Sequence, residues 1–282
     1  MDNRYAMHIS AIAALPAARR RPENMRKELL LISALQILTA GLLACNSTPT
    51  LGPSPEPEPS TPATVNMEFD FYEGAMDWEA GFAEYAPDME DAMQLEADIR
   101  PLPSELGTEG TGYYLQGMNA SDDLFMFLKH ELGTLNGIIP NEEYQVKYSI
   151  VFASNAPSGA VGIGGAPGES VYLKAGASET EPQVYLDADT NHYLMNVDKG
   201  SGNSAGGPAA SPIGHIANGI PAEEIDMQNP PYIYMERQHT HEYNVTSNSD
   251  GEIWLLVGTD SGFEGLTGIY YQSIAVTLEP AE

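Results

Sequence analysis

Carboxylates make up most of the side chains in this sequence that could do chemistry, with a few imidazoles and lysines among them. Asp187-x-Asp189-x-Asn191, followed by Asp198, spaces side-chain oxygens at positions one, three, five and twelve of a calcium loop. The sixth position of such a loop needs Gly for its turn and is His192 here, with no helical pattern on either flank. Asp122 with Asp123, and Asp260 with Glu264, are further carboxylate pairs able to tie loops together through calcium. In so acidic a chain such pairs also arise by chance. His239-Thr240-His241 puts two imidazoles on one face of a strand, as a metal site needs. No His follows His241 and Glu242 faces the other way, so exposed strand histidines are the default reading. Lys174, Asp198, Lys199 and His215 are acid or base candidates, and paired carboxylates cleave glycosides when correctly separated. No His-Glu-x-x-His or P-loop is present. Gly162-x-Gly164-Gly165-x-x-Gly168 runs into a strand-like stretch instead of a helix, which makes it a tight turn and not a nucleotide loop.

Aromatic rings add a second kind of chemistry, because the apolar face of a sugar ring stacks on an indole or phenol. Trp78, Tyr85, Tyr113 and Tyr114 are the candidate ligand contacts. Trp78 and Tyr85 flank an early Gly-rich bend and are the pair expected to be exposed, whereas Trp254 lies in the apolar run 253–257 and reads as core.

The N-terminal region carries an address. From Met25, the expected true start, Arg26 and Lys27 precede an apolar run from Leu29 to Leu43 that is short for a membrane span. Leu42-Leu43-Ala44-Cys45 resembles the bacterial lipobox, in which the cysteine is lipidated and becomes the new N-terminus. Acyl chains bury methylenes at about 0.8 kcal/mol each, enough to hold a protein on a bilayer without a spanning helix. Asn46 stands where an Asp would signal inner-membrane retention, so the outer membrane is expected, with the domain on its periplasmic or cell-surface side. Residues 1–44 are therefore a leader, and residues 45–64 a lipidated cysteine and a Pro/Ser/Thr-rich semi-rigid tether. Residues 65–282 form the folded domain. Cys45 is the only cysteine, so disulfides and cysteine-based metal sites are excluded.

Six of the 12 basic and three of the 40 acidic residues precede Cys45. The remainder carries six basic against 37 acidic groups, a net charge of 6 − 37 = −31. Such a surface repels phosphate backbones, and nucleic acid is excluded as a partner. The membrane is met through the lipid alone, and the oligomeric state is left open.

Positioning these groups falls to strands. Alternating or β-rich runs occur near 65–71, 94–99, 111–118, 124–130, 144–153, 170–175, 192–197, 232–245, 252–257 and 269–278, with one helical turn near 88–93. Short strands separated by turns imply an all-β fold, an antiparallel β-sandwich of jelly-roll type. The Gly/Ala/Ser/Pro-rich stretch 199–231 reads as a long loop that covers a site or packs on itself.

Phe71, Gly74 and Trp78 at the start of the domain, and the closing Ile269-Tyr270-Tyr271-Gln272-Ser273-Ile274-Ala275-Val276-Thr277, resemble the galactose-binding-like jelly rolls of many carbohydrate-binding modules. That family usually has an Asp pair where this chain has Gln272 and Ser273, and one of the pair often helps bind a structural calcium. The departure counts against carrying that calcium over. Ser121 to Leu128, Gly162 to Ser170 and Val257 to Gly265 resemble a group of uncharacterised bacterial lipoproteins, which implies address and fold but no activity. The expected function is a membrane-tethered, non-catalytic module for a glycan ligand, with calcium as the one cofactor considered. The alternatives are an enzyme acting on an extracellular polymer, or an assembly lipoprotein with a protein partner.

Overall fold

A computed structural model describes residues 62–120 and 123–281. Cys45, its leader, most of the tether and Asp122 lie outside the described residues. The expected all-β class holds: the described chain is two packed antiparallel sheets, with helix only as short 3-10 turns. One of these turns, Pro87–Ala92, matches the single helical turn anticipated there.

The strands are β1 Val65–Asp70, β2 Glu79–Ala83, β3 Glu96–Pro101, β4 Thr111–Met118, β5 Leu124–Leu132, β6 Glu143–Ser154 and β7 Val171–Ser178. They continue with β8 Val184–Asp187, β9 His192–Met195, β10 Ser211–His215, β11 Ile233–Thr240, β12 Val245–Thr246, β13 Ile253–Ser261 and β14 Leu266–Pro280. The larger sheet runs β11-β6-β14-β4-β3, with β1 also on β14 and β12 on β6. The smaller runs β10-β7-β13-β5-β2, and β8 pairs with β9 as a separate hairpin.

Alternation along each strand builds the core between the sheets. Tyr144, Val146, Tyr148, Ile150 and Phe152 of β6 are buried in turn, facing Leu124, Met126 and Leu128 of β5 and Ile253, Leu255 and Val257 of β13. On β14 the buried set changes parity, from Ile269 and Tyr271 to Ile274, Val276 and Leu278. A bulge between Tyr271 and Ser273 inserts one residue, which keeps both halves of this long strand facing the core.

The smaller sheet is also covered on its outer face. Phe125, Phe127 and Leu256 pack there with Ala83, Ala209 and Ala210, under Val184, Met195 and Val197. The β8–β9 hairpin and the segment after it supply this cover. Gly81 on the neighbouring β2 leaves room for a ring, since a Cβ there would meet Phe127 at 2.2 Å.

Three strands were missed by the sequence pattern, each for a physical reason. β2 contains Gly and Ala and little that is β-branched. β10 carries Pro212 and Gly214, which mark a loop by composition. As an edge strand with a bulge at those residues it tolerates both. It also corrects the reading of 199–231 as one long loop, since β10 and the 3-10 turn Ala222–Glu224 interrupt that stretch. Residues 184–187 pair only with β9, away from either main sheet. The glycine-rich turn does bring backbones close: a Cβ on Gly168 would meet Ala217 at 2.6 Å.

Candidate functional site

β13 presents Trp254, Leu256, Gly258 and Asp260 on the outer face of the smaller sheet, opposite the inward Ile253, Leu255 and Val257. At about 3.3 Å per residue, the two ends of that row lie roughly 20 Å apart. Each end carries a distinct constellation.

At the Asp260 end is a buried cluster of charge. Asp260 and Lys174 have no exposed surface, and Oδ2 of Asp260 accepts hydrogen bonds from Lys174 Nζ and Lys199 Nζ, both at 2.7 Å. Lys174 also donates to the carbonyls of Lys199 at 3.1 Å and Gly202 at 2.9 Å, which fastens the covering segment to the sheet. Lys199 Nζ lies 2.6 Å from Glu84 Oε2 and 5.0 Å from the centre of the Phe125 ring. Glu84 holds a strained left-handed backbone, φ 70°, at the end of β2. Carboxylate oxygens of Glu84, Asp123 and Asp260 lie within 4.8 Å of one another.

Burial, then the neighbouring Glu84 and Asp260 carboxylates, push Asp123 up to about 8. The fold therefore holds this proton more tightly than the unfolded chain does. The stability it contributes is complete below about pH 4 and is lost as pH rises towards 8. Asp123→Asn, which keeps the neutral shape, is expected to flatten the fall in melting temperature between about pH 5 and pH 8. An unchanged pH profile in that variant would refute the assignment.

Of the carboxylates picked out in the sequence as calcium ligands, the fold brings Asp123 and Asp260 together and adds Glu84, which the sequence did not suggest. The ammonium of Lys199 already stands against two of these three carboxylates, and a cation would have to displace it. Excess calcium, or a chelator, is therefore expected to leave the melting temperature unchanged; a calcium-dependent rise of several degrees would contradict this. Glu264 lies apart, in a backbone bridge with Ile163. Asp187, Asp189 and Asn191 make the turn between β8 and β9 instead of a cation loop. There Oδ2 of Asp187 accepts from the backbone N and Oγ1 of Thr190, bonds that hold its carboxyl below the usual range. Asp198 instead accepts from Gly200 N at 2.8 Å.

His239 and His241 share a face, as their spacing implied, but they converge on a hydroxyl. Ser211 Oγ lies 2.8 Å from His239 Nε2 and 2.8 Å from His241 Nδ1. His241 is buried and its Nε2 lies 2.9 Å from the Pro208 carbonyl, which corrects the expectation of exposed strand histidines. Burial pushes both imidazoles down, favouring their neutral forms.

The four aromatics expected at a ligand site are all buried. Trp78 is 2 % exposed and packs edge-on to Phe69 and stacked against His130. Tyr85 packs on Tyr193, Tyr113 on Phe71 and Tyr114 on Tyr270. None offers a free ring face, since neighbouring rings pack on each and Arg100 also stands over Tyr114.

An aromatic that does reach a cavity is Trp254, half-buried at the other end of the β13 row. It lines a cleft of about 540 Å³ with Asp77, Glu79, Glu131, Asp250 and Glu252, and with His130 and Asn136. Lys129 Nζ stands 5.3 Å from the centre of the indole and pairs with Glu79 and Glu181. Glu131, in register with Trp254 on β5, is pushed up by desolvation and by the like charge of Glu252, with which it shares a hydrogen bond. Asn248 Nδ2 holds Glu252 at 2.9 Å. His130 is buried, and its Nδ1 has no hydrogen-bond partner. Met76 and Asp77, with φ of 49° and 63°, place strained backbone at the cleft's edge.

No protein-family model matches the chain, and no curated protein matches it significantly. Solved structures with a similar fold include carbohydrate-binding modules of β-sandwich type. One, from work on the promiscuous specificity of such modules, is 10% identical at a TM-score of 0.33; the match covers 72% of this chain and 58% of that one. The mannan-recognising module TmCBM27 is 11% identical at a TM-score of 0.37, covering 77% of this chain and 99% of that one. The K1 cleaved adhesin domain of Lys-gingipain from Porphyromonas gingivalis W83 is 10% identical at a TM-score of 0.32, covering 77% and 99%. Likeness at this level bears on no site and on no ligand.

Proposed function

We propose that this chain is a membrane-tethered extracytoplasmic lipoprotein whose β-sandwich binds carbohydrate, without catalysis, in the cleft beside Trp254. The observation that carries the proposal is the half-buried indole in a 540 Å³ cleft rimmed by carboxylates. An indole supplies the apolar platform for a sugar ring, and carboxylates supply hydrogen-bond acceptors for its hydroxyls. Lys129 stands over one face of the ring, which leaves the opposite face and the edge to the ligand.

The rim narrows the ligand class. Asp77, Glu79, Glu131, Asp250 and Glu252 attract a cation, so a sugar bearing a free amine fits better than its N-acetylated counterpart. Catalysis fits poorly. Glu131 is raised by desolvation and by the like charge of Glu252, which makes the two carboxyl groups close neighbours, whereas glycosidases keep roughly 5 Å or more between theirs. The carboxylates beside Lys174 are close to one another too, but no polymer reaches a lysine with no exposed surface.

A glycan array run with the described domain tests the proposal, and binding of amine-bearing oligosaccharides is expected. Absence of binding to every glycan would refute it. A second reading, docking of a protein partner, is favoured by one observation. An apolar groove of about 250 Å³ is lined by Val161, Met227, Phe263 and Leu266, of which Val161 is 97% exposed.

A further inference from the structure

We infer that Lys174 and Asp260 condense into an intramolecular isopeptide bond linking β7 to β13. The two residues lie on adjacent strands, with Gly258 opposite Lys174 and Asp260 opposite Tyr172, so their side chains are diagonal neighbours on the same outer face. Lys174 Nζ already sits 2.7 Å from Asp260 Oδ2, and neither residue has exposed surface.

The two oxygens of Asp260 are not equivalent. Oδ2 is held by both ammonium groups, whereas Oδ1 is buried without a hydrogen-bond partner. A buried orphan oxygen calls for an explanation. Condensation supplies one, because Oδ1 is the oxygen that leaves.

The chemistry balances with no added reagent. An ammonium and a carboxylate become one secondary amide and one water. A proton passes from Lys174 to the carboxyl group, giving a neutral amine and an acid. Nζ then attacks Cγ, the C–Oδ1 bond breaks, and Oδ1 departs as water with the two protons the amide does not keep. Lys199 remains charged on Oδ2, where it stabilises the oxyanion that forms during attack. Glu84 and Asp123, with oxygens inside the same 4.8 Å group, are the carboxyl groups placed to relay the proton to Oδ1.

Lys174 is the nucleophile of choice over Lys199. Burial lowers its proton affinity, while the flanking Asp260 and Glu84 carboxylates raise that of Lys199. Charge stays balanced afterwards: the ion pair disappears, and Lys199 still faces Glu84. The product also removes two buried charges whose desolvation an ion pair offsets poorly. A chain whose only cysteine is Cys45 has no intrachain disulfide to join its strands covalently, and this bond ties two neighbours within the smaller sheet.

Mass spectrometry of tryptic peptides from the full chain provides the test. A branched peptide joining the Lys174 and Asp260 segments is expected, lighter than its two parts by one water, with no cleavage after Lys174. Lys174→Arg should abolish the branch. Asp260→Asn should retain it, with ammonia lost in place of water. Two separate, full-mass peptides from the wild type would overturn the inference, as would a branch carried by Lys199.

Discussion

Asp260→Ala is expected to destabilise the domain by about 3–5 kcal/mol, the cost of leaving buried charge without its partner. Lys174 and Lys199 both direct Nζ at Asp260 Oδ2, and neither can reach solvent without releasing the covering segment around residues 199–202. Loss of that segment would in turn withdraw Lys199 from the Phe125 ring, over which its Nζ stands at 5.0 Å. Urea denaturation monitored by circular dichroism gives the number. A loss below about 1 kcal/mol, the range of an exposed ion pair, would show that the cluster is solvated and not part of the core.

The second large effect concerns binding. Trp254→Ala should weaken affinity for an amine-bearing oligosaccharide about fivefold to tenfold, since stacking on an aromatic is worth roughly 1–1.5 kcal/mol and each 1.4 kcal/mol is tenfold. The fold should survive, because the indole points away from the core between the sheets. The same binding should weaken as salt rises, as expected for a carboxylate rim and a cationic ligand. Equal affinity for free-amine and N-acetylated forms would remove the charge argument while leaving the stacking platform intact.

How much of this was legible in the sequence depends on which link is asked about. Strands with one wetter face were plain: Glu143–Ser154 alternates buried and half-buried residues along most of its length, close to the expected 144–153. Trp254 was hidden by its neighbours. β13 is central and covered on both faces over most of its length, so Ile253, Leu255 and Leu256 blur the alternation that would have pointed Trp254 outward. The inward parity of Ile253, Leu255 and Val257 was the available signal. Trp78 misled for the opposite reason, since a bend rich in Gly and Asp suggested exposure while His130 and Phe69 close over the ring.

The charge cluster was beyond reach from spacing alone. Glu84, Asp123, Lys174, Lys199 and Asp260 come from five separate segments, and only the order β10-β7-β13-β5-β2 brings them together. Asp123 and Asp260 stood out as carboxylates, and Lys174 and Lys199 as acid or base candidates. That an internal ammonium would occupy the place imagined for calcium is a fact of packing.

Fluorescence titration tests the central proposal most directly, because the chain has two tryptophans and one of them, Trp78, is buried. Adding a glucosamine oligosaccharide should change emission saturably in the wild type and in Trp78→Phe, and should leave Trp254→Ala silent. A saturable response that persists in Trp254→Ala, or no response in the wild type at any concentration, would contradict binding at this cleft.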